Sequence, residues 1–427
     1  MKYLWLFLLC SFPSWSICPD RLARQLEQQW TEPTARLGIV VRTPERVIVD
    51  RQGEQAFIPA SLQKLFTTAV ALQKLGAEFR TSTSVTVGED GKLHLRGGGD
   101  PSFTSDRSLP ALVAQIKPGN VAIAQIEWES EPWGNSYGYG WEWADLQAPY
   151  APPAGGVVID GNVLPWRLDP SFSWQFPDRA FGWQVENQVQ LGTTDTLQIQ
   201  VQGQKLLLRG TIPEPIEYAT PIPDPPQQFI NLLQAELQRQ NLTEVAVGTA
   251  TWFSPPLQEL IKITNKESNN LYAEQILRLL GRQFRQPNQD YATTGRDLIT
   301  QAVPTPGFYA ADGSGLSRHN QVTPHQVAHL LLQMADNLPF RQSLPQAGRD
   351  GTLTNRLSHL SLQAKTGTLR GIATLAGYLT PPRHPPVIVV IMVNHSLLPT
   401  ALLRQQIDRF VTTINDLELC ERSRPSP

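Results

Sequence analysis

Along "ARLGIVVRTPERVIVDRQG", residues 35 to 53, apolar and polar positions alternate on either side of a turn at Thr43 to Glu45, the period of a β-hairpin. The following stretch, "IPASLQKLFTTAVALQKLG", changes to helical spacing, with Leu62, Leu65, Phe66, Val70 and Leu75 on an apolar face. A polar helix is expected near residues 20 to 30. The far end of the chain mirrors this layout: "LSLQAKTGTL", "GIATLAGYL" and "VIVVIMVNHS" read as strands and "LPTALLRQQIDRFVTTINDLE" as an amphipathic helix. Strands from both ends are therefore expected to share one sheet. Between about 81 and 249 the texture becomes short strands punctuated by Gly, Pro and Asp, with "TSVTVGEDGKLHLRGG" and "LQIQVQGQKLLLRGTIP" as hairpins. Helices return in "PPLQELIKITNKESNNLYAEQILRLLGRQF", "YATTGRDLITQAV" and "TPHQVAHLLLQMADN", with the loop "ADGSGLSRHNQ" before the last.

The pattern places a serine and a lysine, Ser61 and Lys64, one turn apart where a helix otherwise builds an apolar interior. Residues i and i+3 share a helix face, so a hydroxyl and an amine meet there. Serine needs a base, and burial pushes a lysine toward the neutral form that can act as one. The chain has nine lysines against 27 arginines, and Ser61 to Lys64 is its only S-x-x-K. A surface Ser and Lys on a core helix is the bland account of that pair. In "QAKTGTLRG", Lys365 offers positive charge, Thr366 and Thr368 offer hydroxyls, and Gly367 permits close backbone approach at a strand edge. A polar strand end is the bland account there. In "KESNNLYAE", Ser268, Asn269 and Asn270 open a helical pattern where such residues ordinarily serve as caps. The ordered set changes the weighing: S-x-x-K opening a buried helix, S-x-N opening another, then K-T-G-T on a strand is the grouping of acyl-serine β-lactamases and penicillin-binding proteins.

In these motifs the chain resembles the low-molecular-mass class C penicillin-binding proteins, D-alanyl-D-alanine carboxypeptidases that also act as endopeptidases. The resemblance extends over the expected mature chain through "LRGGGDPSF", "GYGWEWADLQAPYAPPAGGVVIDGN", "DGSGLSRHN", "LPQAGRDGTL" and "KTGTLRGIATLAGYL". It implies an α+β fold, an antiparallel sheet flanked by helices plus an all-helical lobe, with residues 17–80 and 250–427 as the acyl-serine transferase domain and 81–249 as a large β-rich insertion. It also implies Ser61 as the acylated nucleophile, Lys64 as its proton acceptor, Ser268 and Asn270 as proton relay and amide holder, and Lys365, Thr366, Gly367 and Thr368 as the carboxylate-binding strand. The backbone N–H groups of Ser61 and Thr368 would form the oxyanion hole. Asp145 in "WEWADL" sits where the family recognises the diamino acid of the stem peptide, and Arg318 in "LSRHN" matches its partner. The implied partners are peptidoglycan stem peptides and β-lactam antibiotics as covalent inhibitors. A β-lactamase or esterase on the same scaffold and a catalytically idle wall-binding protein are the alternatives; the long span between the first two motifs argues against a β-lactamase.

Charge and composition narrow the field further. Net charge is −2 with no basic run, which leaves no support for a nucleic-acid surface. No cofactor or metal is implied. The start, "MKYLWLFLLCSFPSWSICPD", carries Lys2, an apolar run too short to span a bilayer, and Ser14 and Ser16 at signal-peptidase spacing. Residues 1–16 are therefore expected to be a signal peptide and the protein periplasmic or otherwise extracytoplasmic, with no stable membrane span. Cys18 and Cys420 then lie near the two ends of the mature chain, as a disulfide or as two free thiols. Three short patterns are decoys. "GNSYG" lacks a following helix for a hydrolase elbow, "HQVAH" has Gln326 where a zinc peptidase needs Glu, and "GGGDP" suits a tight turn.

Overall fold

Strands from the two ends of the chain do meet in one sheet. The structure, a computed structural model, describes residues 15–17, 19–32, 34–168, 174–175, 182–303, 305–416 and 419–421. β2 (Arg36–Arg42) and β3 (Val47–Arg51) join β16 (Leu362–Leu369), β17 (Ile372–Leu379) and β18 (Val387–Asn394) in the order β16-β17-β18-β2-β3, antiparallel throughout. β17 and β18 are buried at every position, because the sheet is covered on both faces.

The period of two distributes their side chains between two cores. Val40, Ala376, Tyr378, Ile388, Val390 and Met392 face a helical lobe, whereas Leu37, Ile39, Leu375, Val389, Ile391 and Val393 face the terminal helices. The terminal layer is α1 (Pro19–Gln29) against α10 (Thr400–Asn415). In α10, Leu403, Ile407, Phe410, Val411 and Ile414 recur at helical spacing and are buried. The lobe contains α2 (Gln63–Leu75), α5 (Leu257–Lys266), α6 (Asn270–Gln283), α7 (Tyr291–Gln301), α8 (Pro324–Gln333) and α9 (Leu338–Ser343).

The intervening residues build sheets of their own. β4 (Ser82–Val87), β5 (Lys92–Arg96), β7 (Gln125–Trp128) and β15 (Gly248–Phe253) form one of four strands, and β6 (Pro118–Ala122) pairs with β14 (Glu244–Val245). They enclose a core with Val85, Leu95, Phe103, Leu112, Phe229 and Leu233. Two helices stand in this stretch that strand-like texture alone does not suggest: α3 (Ser108–Val113) and α4 (Pro225–Arg239). The second has a capping Asp224 that accepts from Gln227 N and a proline in its first turn, signals masked by the surrounding Pro-rich sequence. A smaller unit combines β8 (Val163–Leu168), β9 (Trp174–Gln175) and β13 (Ile216–Pro221) with β10 (Gln184–Leu191), β11 (Gln198–Gln202) and β12 (Lys205–Ile212), around Trp166, Leu168, Leu206 and Leu208.

At the chain ends β1 (Trp15–Ile17) pairs with β19 (Leu419–Glu421), Ser16 opposite Cys420. Of the expected signal peptide, residues 1–16, positions 1–14 lie outside the described residues, and so does Cys18, whose pairing with Cys420 or freedom as a thiol the sequence leaves open. Among the described residues no helix is long and apolar enough to cross a membrane.

Candidate active site

The nucleophile candidate stands at a forced bend. Ala60 has φ 48, a left-handed conformation costly for a residue with a Cβ, and Ser61 follows within a 3-10 turn (Ala60–Leu62) that leads into α2. Sheet residues hold this bend from below: Asn394 Oδ1 accepts from Ile58 N at 2.8 Å, and Thr374 Oγ1 donates to Pro59 O at 3.0 Å.

Lys64 lies one turn further on and is completely buried. Its Nζ is 2.6 Å from Asn270 Oδ1, 2.6 Å from Ser314 O and 3.0 Å from Ser61 Oγ. The two shorter contacts are to acceptors that cannot donate, so a neutral amine spends both N–H groups on them. Its lone pair is then left for the Ser61 hydroxyl proton. Burial pushes the Lys64 ammonium down to about 7, while the Asp312 and Glu274 carboxylates pull it back up. A lysine balanced in this way changes charge near neutral pH, which suits a general base.

Ser268 and Asn270 approach from the start of α6. Ser268 also has a left-handed backbone, φ 58, and its Oγ accepts from Lys365 Nζ at 2.9 Å. Asn269 is the helix cap, accepting from Tyr272 N, which leaves Asn270 free to bridge Lys64 and, through Nδ2, Tyr150 O at 2.9 Å. Lys365 is fully buried on β16, with a second bond to Thr366 O at 2.7 Å. Burial, and then the charge of Lys64, hold its ammonium well below the usual lysine range.

β16 is the edge of the sheet and lies directly against the Ser61 bend. A Cβ on Gly367 would stand 2.9 Å from Ser61 N, 2.9 Å from Pro59 O and 2.3 Å from Thr374 Oγ1. Only glycine lets the strand reach the nucleophile's amide. Thr366 Oγ1 donates to Thr352 Oγ1 at 2.7 Å, and Thr368 Oγ1 accepts from Arg404 at 3.4 Å. The structure thus brings together Ser61, Lys64, Ser268, Asn270, Lys365 and Gly367 from three remote stretches, with Thr366 and Thr368 on the same edge.

Comparison with known proteins accords with this geometry. Residues 21–414 match the model of the D-Ala-D-Ala carboxypeptidase 3 (S13) family. The chain belongs to that family. It is 28% identical over 409 residues to a D-alanyl-D-alanine carboxypeptidase of Actinomadura sp. (strain R39), covering 82% of this chain and 76% of that one. It is 27% identical over 410 residues to D-alanyl-D-alanine carboxypeptidase DacB of Haemophilus influenzae, covering 82% and 83%. The crystal structure of penicillin binding protein 4 (dacB) from that organism superposes with TM-score 0.79 at 22% identity, covering 92% of this chain and 98% of that one. The protein is accordingly an S13 serine-type peptidase on the penicillin-binding-protein fold.

Around the S13 motifs, two acidic residues that motif reading passed over organise the site from behind. Glu274 Oε1 accepts from Gly313 N at 2.7 Å and Ser314 N at 3.1 Å, while Oε2 pairs with the buried Arg278 at 2.7 Å. Asp312 accepts from Gly315 N and Asn320 Nδ2 on one oxygen, and from Ser314 Oγ, Ser317 N and Trp141 Nε1 on the other. Together they fix the loop whose Ser314 carbonyl receives Lys64. The signal was present in "NNLYAE" and "DGSGLSRHN", but nothing in the sequence connects the two strings.

Asp145 lies on a short 3-10 turn (Trp143–Asp145) and accepts from Tyr150 Oη at 2.7 Å. Burial and that bond push the Tyr150 hydroxyl up to about 12, so it stays a donor. Tyr150 O in turn receives Asn270, which ties the Asp145 loop to the cleft. Arg318 is held beside this loop: its Nε meets Glu142 at 2.8 Å and its Nη2 donates to Arg370 O, and no hydrogen bond or ion pair joins it to Asp145. In "HQVAH" Gln326 is a capping-box residue of α8 and His325 is 2.8 Å from Asp50. Among the described residues no cluster of three or more His, Cys, Asp or Glu is placed to hold a metal.

Proposed function

We propose that this S13 peptidase hydrolyses the terminal D-Ala-D-Ala bond of peptidoglycan stem peptides through an acyl-enzyme on Ser61. The observation that carries the reading is the Lys64 amine, buried, poised near neutrality and bonded to Ser61 Oγ while the K-T-G-T strand abuts the same residue's amide. Lys64 Nζ takes the hydroxyl proton as Oγ attacks the penultimate D-Ala carbonyl. The amides of Ser61 and Thr368 are the candidate donors to the resulting oxyanion, each worth roughly 2.7 to 4 kcal/mol to the transition state. Ser268, bonded to Lys365, is placed to pass a proton to the leaving amine. Water then releases the acyl group and restores the serine. The terminal carboxylate falls to Thr366 and Thr368.

Asp145 is the candidate for the diamino acid of the stem peptide, with Tyr150 positioning its carboxylate. Arg318, neutralised by Glu142, serves the same wall of the cleft. Crosslink cleavage is the second activity that this wall would support. β-Lactams should acylate Ser61 and persist. The homologous Haemophilus influenzae protein has been crystallised in complex with a β-lactam. Here the two carboxylates nearest Lys64, Glu274 and Asp312, are both engaged behind the Ser314 loop and are not free to activate a deacylating water. We further propose that residues 1–16 direct export to an extracytoplasmic compartment, and that 81–249 form an insertion in the transferase domain, supported by its separate apolar cores.

Intact-mass measurement after incubation with benzylpenicillin tests the assignment. The wild type should gain one long-lived adduct on Ser61, whereas Ser61→Ala should gain none and release no D-Ala from acyl-D-Ala-D-Ala. An adduct on the mutant would refute it, and rapid loss of adduct from the wild type would indicate a β-lactamase.

A further inference from the structure

A peptide ending in a free carboxylate needs a cation, and the lysine of K-T-G-T is badly placed to supply one. Lys365 is 0% exposed, its Nζ is bonded to Ser268 Oγ and Thr366 O, and its neighbour Lys64 opposes its charge. Its ammonium faces the proton-transfer side of the cleft. Thr366 and Thr368 stand on the other side of the strand, by the alternation of β16.

Arg404 is the cation that reaches that side. It projects from the second turn of α10, where Leu403 and Ile407 anchor the helix in the core below the sheet. Its Nη2 donates to Thr368 Oγ1 at 3.4 Å, long for a hydrogen bond and close enough for a carboxylate oxygen to bind both groups. The side chain is exposed and takes part in no ion pair among the described residues, so its charge is uncommitted. Arg318 is matched by Glu142. Arg370 lies on the exposed turn beyond β16, where its carbonyl accepts from Arg318.

We propose that Arg404 binds the C-terminal carboxylate of the substrate together with Thr368, an assignment that rests on the carboxypeptidase reading above. The planar guanidinium offers paired N–H donors to a carboxylate, a geometry that an ammonium cannot reproduce. Arg404 thereby contributes to selecting peptides with a free carboxylate next to the reacting amide. Benzylpenicillin carries a carboxylate in the corresponding relation to its reactive amide and draws on the same contact.

The test compares wild type, Arg404→Ala, Arg404→Lys and Arg370→Ala on acyl-D-Ala-D-Ala, on its C-terminal amide, and on benzylpenicillin acylation, with thermal melting as the check on folding. Arg404→Ala should lose roughly 10- to 100-fold in kcat/KM on the acid and in penicillin acylation, the range expected for a hydrogen bond to a charged group. Its kcat/KM on the amide should change little, so the acid-over-amide preference collapses. Arg404→Lys should recover part of the loss, and Arg370→Ala should keep the preference. An unchanged acid-over-amide ratio in Arg404→Ala, or an equal loss in Arg370→Ala, overturns the proposal. Should the wild type release no D-Ala, the carboxypeptidase reading fails by itself, and the penicillin arm still decides the role of Arg404.

Discussion

Lys64 shows how much of this site resides in the protonation state of one side chain. Its amine feels two carboxylates, Glu274 of α6 and Asp312 of the loop between α7 and α8, and one cation, Lys365 of β16; Arg278 of α6 is paired with Glu274, and Lys266 at the end of α5 with Asp350. Burial outweighs the carboxylates and leaves the ammonium titrating at about 7. The base is the neutral form, so acylation should weaken as pH falls through that value. Below it, the benzylpenicillin acylation rate is expected to drop about tenfold per pH unit, as the neutral fraction does, and to level off above pH 8. A rate flat between pH 5 and 8 would show that Lys64 is not the proton acceptor. The S-x-x-K spacing announces this pair, because a helix turn is a local geometry, but the value near neutrality is set by burial in the folded lobe working against Glu274 and Asp312, 210 and 248 positions away.

At the scale of elements, the catalytic groups are held by junctions: the Ala60 bend into α2, Ser268 at the mouth of α6, and the free edge of β16. Their local signals were legible in part. Asn269 reads as a cap and is one, yet nothing in the string tells that its neighbour Asn270 turns inward to Lys64. The loop at 312–317 is likewise defined by a carboxylate from another element. Glu274→Ala would leave Gly313 N–H and Ser314 N–H without their acceptor and Arg278 buried without its counter-ion. The expected cost is about 3–5 kcal/mol of stability. Urea unfolding measures it, and penicillin acylation of the folded fraction should slow as Ser314 O drifts from Lys64. Wild-type stability in this variant would mean that the loop is held by Asp312 alone.

On the scale of the whole molecule, the small β unit is separable by geometry. Pro165 and Ala219 are opposite each other on β8 and β13, so a tight turn can close the gap left by removing what lies between them. None of the proposed catalytic residues lies there, although β11 and β12 face Gln147 of the Asp145 loop across a cavity of about 420 Å³. Replacing residues 166–218 by Asn-Gly should therefore leave benzylpenicillin acylation within about threefold, as for sites without shared partners. Loss of acylation in a folded variant would make this unit part of the catalytic domain. The sequence by itself determined the helix and strand periods, the pairing of terminal strands in one sheet, and three motifs, since each rests on contacts a few residues apart or on an unbroken apolar pattern. Tertiary structure alone decided that Arg318 meets Glu142, that Glu274 and Asp312 shape the seat of Lys64, and that Arg404 reaches Thr368. Those are meetings of polar groups distant in the chain, and polar side chains carry no periodic mark of the partner that burial brings to them.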